Sequence, residues 1–131
     1  DWYSRYVLSW TMNDTLEIPF VLEACKYALR DARPSIMNSD QGSHFTSPKY
    51  INLFLEAGVL ISMDHRGRAY DNIFIERFWR SLKYEDIYLK DYSYPREARL
   101  GIRKYMDFYN NKRPHQSLGY KTPAGVYFDR E

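Results

Sequence analysis

Between residues 6 and 63 the chain switches repeatedly between strand-like and helix-like hydrophobic patterning, and that alternation most restricts what it can fold into. Tyr6 to Thr11 is rich in β-branched, aromatic and apolar residues and reads as a strand. Asn13 to Thr15 supplies turn and cap chemistry. Leu16, Phe20, Ala24, Tyr27 and Ala28 then recur at helical spacing, so a helix runs to about Arg30. Pro19 falls near its first turn, where a missing N–H is tolerated. Pro34 breaks the helix, and Ser35-Ile36-Met37-Asn38 reads as a short buried strand leading to Asp40. Ser47-Pro48 opens a second helix with Tyr50, Ile51, Phe54 and Leu55 on its apolar face; Gly58 ends it, and Val59 to Met63 makes a third strand. Strand, helix, strand, helix, strand is the order of an α/β domain with parallel or mixed pairing.

Asp64 to Tyr70 is polar, holds Arg66, Gly67 and Arg68, and reads as a loop. Asp71 caps a long helix through about Tyr88, with Ile75, Phe78, Trp79 and Leu82 as its apolar face. A further helix spans Pro95 to Asn110. The tail from Asn111, punctuated by Pro114, Gly119 and Pro123, is expected to be irregular. A length of 131 residues fits one domain able to bury a core, with no repeat or linker.

Composition removes several classes. The lone Cys25 excludes an internal disulfide and fits a reducing compartment. No apolar run approaches the roughly 18 residues that a membrane span requires, and no signal peptide is visible. His44, His65 and His115 are scattered, and without a second cysteine they make no structural zinc set. Net charge is only +2, but residues 1–65 carry 5 Lys/Arg against 8 Asp/Glu, whereas residues 66–131 carry 14 against 9. A polyanion is drawn to the second half, although a solvated basic face produces the same count.

Asp40 and Glu76, with 35 residues between them, are the candidate chemical pair. Asp40 follows a strand and precedes Gly42, at the end of a strand where open α/β sheets bind ligands. Glu76 lies on the long helix, and Asn72, Glu76, Arg80 and Lys83 follow at spacings of four, four and three, forming one polar stripe. Two carboxylates suit a divalent cation, and the bases beyond them suit phosphate. Taken singly, each acid also has an ordinary reading, as a turn former and as a solvated helix residue.

Taken with its surroundings, the pair resembles the catalytic core of insertion-sequence transposases of the retroviral-integrase-like Asp-Asp-35-Glu type. The residues that carry the likeness are D-W-Y-S-R at 1–5, S-D-Q-G-S-H-F at 39–45, H-R-G-R-A-Y-D-N at 65–72, I-E-R-F-W-R-S-L-K-Y-E at 75–85 and F-Y-N-N-K-R-P-H-Q-S-L-G-Y-K-T-P at 108–123. They span essentially the whole chain in the family's order. The resemblance implies an RNase H-like, three-layer α/β fold truncated at its N-terminal strand, and a two-metal mechanism using Mg²⁺ or Mn²⁺. Asp40 then takes the place of the second catalytic acid and Glu76 that of the glutamate, both as metal ligands. Lys83 matches a basic position facing donor DNA, and two helical turns place it on the face of Glu76. Arg80, Arg66, Arg68, Asn72 and Arg113 complete the expected DNA-binding set; Arg113 has a second reading as a salt bridge to the core.

The implied reaction is hydrolysis of a phosphodiester at an element end, followed by in-line attack of the freed 3′-hydroxyl on a second phosphodiester. The implied partners are double-stranded DNA, as element end and as target, and further copies of the chain assembled on it, with no membrane. The implied setting is a bacterial cytoplasm, in association with the nucleoid. The chain opens on D-W-Y-S-R without an initiator Met and reads as the middle of a domain. The family's first aspartate falls upstream of that stretch, so the 131 residues are expected to be inactive alone. A rival reading is a non-catalytic DNA-binding or assembly module derived from a transposase; retention of Asp40, Glu76 and Lys83 speaks against it. An RNase H-like nuclease of repair or RNA turnover is disfavoured by the R-P-H-Q-S-L tail.

Overall fold

The computed structural model describes residues 1–13, 18–63 and 72–129. It divides into two compact units, residues 9–73 and residues 1–8 with 74–131.

The first unit is a β-α-β element preceded by a helix. Helix α1 (Ile18–Ala28) leads to strand β1 (Ile36–Ser39), helix α2 (Pro48–Glu56) and strand β2 (Leu60–Met63). The strands pair in parallel, Ile36 opposite Leu60 through Ser39 opposite Met63, because α2 carries the chain back to the same starting edge. Pro48 starts α2, where its missing N–H costs nothing. Its end is fixed by Gly58 at φ 75°, which lets Val59 N donate to Phe54 O at 2.9 Å and Gly58 N to Leu55 O at 3.0 Å. The turn delivers Val59 directly into the core beside Tyr50 and Phe54. Burial of side chains such as Val59 and Phe54 contributes about 1.5–3 kcal/mol each. Cys25, Met37 and Ile61 pack against the same cluster, and burial pushes the Cys25 thiol up to about 11. Trp10 is half-buried in this unit.

Two expectations fail here. Tyr6 to Thr11 is not a strand. A strand needs a neighbouring ladder; instead the Asn110 side chain occupies both backbone groups of Val7, accepting from its N–H and donating to its carbonyl, each at 2.9 Å. Nor is β1 buried: Ile36 is 57% and Leu60 66% exposed. Successive side chains on a strand point to opposite faces, so Met37 and Ile61 enter the core while Ile36 and its partner Leu60 face away from it.

The second unit is helical. Helix α3 (Ile73–Leu82) runs into a π-helical turn (Lys83–Ile87) and a final α turn, α4 (Tyr88–Lys90). Asp91 closes it in the left-handed conformation at φ 46°. Helix α5 (Pro95–Asn111), a 3₁₀ turn (Gln116–Leu118) and helix α6 (Pro123–Phe128) follow. Phe78, Leu82, Tyr105, Met106 and Tyr109 are its buried apolar residues, with Phe78 edge-on to Tyr109 at 5.0 Å between ring centroids. Tyr109 therefore packs against the helix that bears Glu76. Tyr6 stacks on Tyr127 at 4.6 Å, fastening the first residues of the chain to α6.

The apolar face of α3 differs from expectation. Phe78 and Leu82 are buried, but Ile75 and Trp79 are 45% and 46% exposed. The inward stripe instead continues through Ser81 to Asp86, so it begins on Phe74 and Phe78 and ends on polar groups. Trp2 and Trp79 are half-exposed, touching Phe74 and Phe78 respectively. The tail also has more structure than its prolines suggested. Pro123 sits at the start of α6, and Thr122 Oγ1 accepts the Gly125 N–H at 3.1 Å as its N-cap. Among the described residues no helix is long and apolar enough to cross a membrane.

Candidate active site

Asp40 is the first residue after β1, so its carboxylate stands at the carboxyl end of a parallel strand. It is exposed, and its Oδ1 accepts the Gly42 N–H at 2.7 Å. Only glycine allows that turn without displacement, since a Cβ at residue 42 would come within 2.9 Å of Asp40 Oδ1. Behind it Ser39 is buried and donates to the Asp40 carbonyl at 3.0 Å. The loop then closes through Phe45 N to Gly42 O at 2.9 Å. The turn-forming reading of Asp40 is thus realised through one oxygen, on a carboxylate that still faces solvent.

Glu76 is exposed in the first turn of α3, where the helix dipole favours a negative charge. Asn72, half-buried, directly precedes the helix. Arg80 follows one turn later and Lys83 heads the π turn, both exposed. The guanidinium of Arg80 lies 5.8 Å from the ring centroid of Tyr84. Arg77 is turned elsewhere, donating to Ser81 Oγ at 2.8 Å. Glu76, Arg80 and Lys83 are thus all exposed along one continuous helical segment, α3 and the π turn that follows it.

Asp40 belongs to the unit of residues 9–73 and Glu76 to the other. Among the described residues no group of three or more His, Cys, Asp or Glu side chains is gathered to hold a metal ion. Arg66 and Arg68, together with His65 and Asp71, lie outside the described residues.

Of the two roles open to Arg113, the ion pair is the one observed. Arg113 donates from Nε and Nη2 to Glu85 Oε1 and Oε2, each at 2.7 Å, and Tyr105 adds a hydroxyl donor to Oε1 at 3.3 Å. This holds Glu85 below the usual carboxylate range, chiefly through the Arg113 hydrogen bonds, and raises Arg113 in return. The fork-to-fork geometry occupies Nε and one N–H of Nη2, two of the five guanidinium donors. Arg113 Nη1 also lies 3.4 Å from His115 Nδ1, and burial followed by the Arg113 charge keeps His115 below its ordinary value.

Sequence reading passed over the groups that shape this region. Asp86 is 1% exposed, accepts the Tyr92 hydroxyl at 2.6 Å and pairs with Lys90 at 2.8 Å. Tyr92 reaches it only because α5 carries Gly101, where any Cβ would collide with the Tyr92 hydroxyl and ring. Two adjacent acids, Glu85 and Asp86, with an arginine and a tyrosine to receive them, were the available signal. A cleft of about 290 Å³ beside them is lined by Glu85, Asp86, Lys90, Lys104, Tyr105 and Phe108, none of them a residue of the acidic pair or the basic row.

Comparison with known proteins agrees with the fold. The chain is 34% identical over 127 residues to the transposase for insertion sequence element IS904 of Lactococcus lactis, covering 94% of this chain and 50% of that one. It is likewise 34% identical to the transposase for IS629 of Shigella sonnei, over 95% of this chain and 43% of that one. It spans about half the length of these curated relatives. The crystal structure of the catalytic core domain of BIV integrase superposes with a TM-score of 0.76 at 20% identity, covering 97% of this chain and 80% of that one. That likeness identifies the RNase H-like architecture. The family described as integrase core domain matches residues 57–123 of the 131, and the chain belongs to that family.

Proposed function

We propose that this chain is the catalytic core of a DNA transposase, cutting and joining phosphodiester bonds at the ends of a mobile element. The observation that carries the reading is the sequence of exposed groups along α3 and the π turn, the Glu76 carboxylate followed within two helical turns by Arg80 and Lys83. Binding DNA alone calls for the bases but gives no reason for Glu76 at their head, or for Asp40 held at a strand end by Gly42.

The donors suit a hard cation: carboxylate oxygens are what Mg²⁺ and Mn²⁺ prefer, and both Asp40 and Glu76 present theirs to solvent. Asp40 and Glu76 would hold the cation, which when bound supplies activation of water and stabilisation of charge on the scissile phosphate. Lys83 and Arg80 hold the backbone of the DNA end by its phosphates and fix its register against Glu76. Asn72, with a neutral donor and acceptor, lines the same row. Double-stranded DNA serves as donor and as target, and copies of the chain assemble on it.

The test replaces charge without changing shape. Made in a full-length transposase that carries these residues, Asp40→Asn and Glu76→Gln should each abolish Mg²⁺-dependent cleavage and strand joining while end binding persists. Full activity in either variant would overturn the assignment. Tight binding with no cleavage by that full-length protein before substitution, in Mg²⁺ or Mn²⁺, would favour the non-catalytic module instead.

A further inference from the structure

The row that starts at Glu76 does not end at Lys83. Arg80, Tyr84 and Tyr88 follow at intervals of four, and the π turn lies beneath them. In an α-helix each step of four residues drifts about 40° around the axis, so three steps from Glu76 would carry Tyr88 about 120° away. The π turn, closed by the Tyr88 N–H on the Lys83 carbonyl, is wider and rotates less per residue, which offsets the drift. The outcome is a continuous ladder: Arg80 lies 5.8 Å from the Tyr84 ring, and Tyr84 meets Tyr88 edge to face at 5.3 Å. The two rings are 63% and 60% exposed, among the more exposed large side chains of the helix. The same turn aims Glu85 and Asp86 inward, so the rings are held outward by the ion pairs on the opposite side.

We propose that Tyr84 and Tyr88 form a stacking platform for unpaired bases of the DNA end, continuing the phosphate track of Arg80 and Lys83. This rests on the transposase reading above. Charge complementarity selects the occupant: the platform adjoins two exposed cations, and exposed tyrosine rings flanked by bases match a frayed strand, whose bases offer free faces. A fully paired duplex offers phosphates to Arg80 and Lys83 but no base faces to the rings.

The experiment measures binding of the purified protein to a blunt duplex and to the same duplex bearing a short single-stranded overhang with 2-aminopurine. Tyr84→Ala/Tyr88→Ala should weaken overhang binding about tenfold and abolish the change in 2-aminopurine fluorescence, leaving blunt-duplex affinity within about twofold. Tyr84→Phe/Tyr88→Phe, which keeps the rings, should restore the overhang preference. Since both side chains are exposed, thermal melting should match that of the unaltered protein, which separates a lost contact from a lost fold. Unchanged overhang binding in the alanine pair, or equal losses on both DNAs, would overturn the platform while leaving the transposase reading intact. Failure of the unaltered protein to bind either DNA would sink both.

Discussion

Arg113 and Glu85 face each other fork to fork, with two parallel hydrogen bonds of 2.7 Å, across 28 residues of sequence. The pair ties the segment after α5 to the π turn, and so connects the R-P-H tail to the helix that carries Glu76. Hydrogen bonds to charged groups contribute about 1.5–3 kcal/mol. Glu85→Gln should therefore lower unfolding free energy by about 2 kcal/mol near neutral pH. The sign of its pH dependence follows from Glu85 being held below its unfolded value. The contribution is fully present above about pH 4.3, the ordinary glutamate value, and is lost as pH falls through the lower folded value. Urea titrations across pH 7 to 3 should show the gap between the two proteins closing below about pH 4. A constant gap over that range would contradict the role given to the pair.

Gly101 is required by Tyr92 rather than by its own backbone. A methyl at residue 101 would displace the Tyr92 ring and hydroxyl, leaving Asp86, 1% exposed, with only Lys90. Gly101→Ala should cost about 2–3 kcal/mol even though alanine is the better helix former. Combined with Tyr92→Ala the loss should be clearly less than additive, because the collision has been removed. A melting-temperature cycle reads this directly, and strict additivity would show that the two residues do not meet.

How far sequence reading reached is set by what each signal encodes. The β-α-β order, Pro48, Gly58 and the start of α5 at Pro95 were legible, since they depend on backbone chemistry that the residue itself dictates. Asp40 with Gly42 was legible for the same reason. The strand expected at residues 6–11 was not a sound reading, because β-rich composition says that a segment fits a ladder but not that a ladder is adjacent. The inward face of α3 was misjudged at Ile75 and Trp79 because the spacing of apolar residues does not say which side of a helix meets the core. Glu85 and Asp86, within the π turn, meet Arg113, Tyr92 and Lys90, partners 28, 6 and 4 residues on. No local window contains the first of them.

Asn110 substitutes for a missing strand neighbour by giving Val7 both of its backbone bonds. Asn110→Leu, similar in size, should leave the Val7 N–H and carbonyl unpaired and cost about 2–3 kcal/mol. Asn110→Asp keeps the acceptor but sets a carboxylate oxygen against the Val7 carbonyl, so it should be no better tolerated. Amide exchange at Val7 is the specific readout. It should accelerate in both variants by more than the change in global stability explains; unaltered protection would mean that other groups hold this segment.

Lys83 separates positioning by phosphate from any reading of base sequence. It is exposed at the head of the π turn, seven residues beyond Glu76, and no hydrogen bond or ion pair ties it among the described residues. Lys83→Ala should leave the melting temperature within about a degree or two, since exposed charges contribute little to stability. On DNA its effect should be uniform across sequences, and the slope of log affinity against log salt should become shallower by about 0.9, the share of one phosphate contact. Tyr84→Ala/Tyr88→Ala should leave that slope unchanged, because stacking releases no counterions. Measured together, the two slopes assign charge to Lys83 and base contact to the rings. A loss confined to one DNA sequence on removing Lys83 would instead make it a reader of bases, and a slope unaffected by its removal would take it off the DNA track altogether.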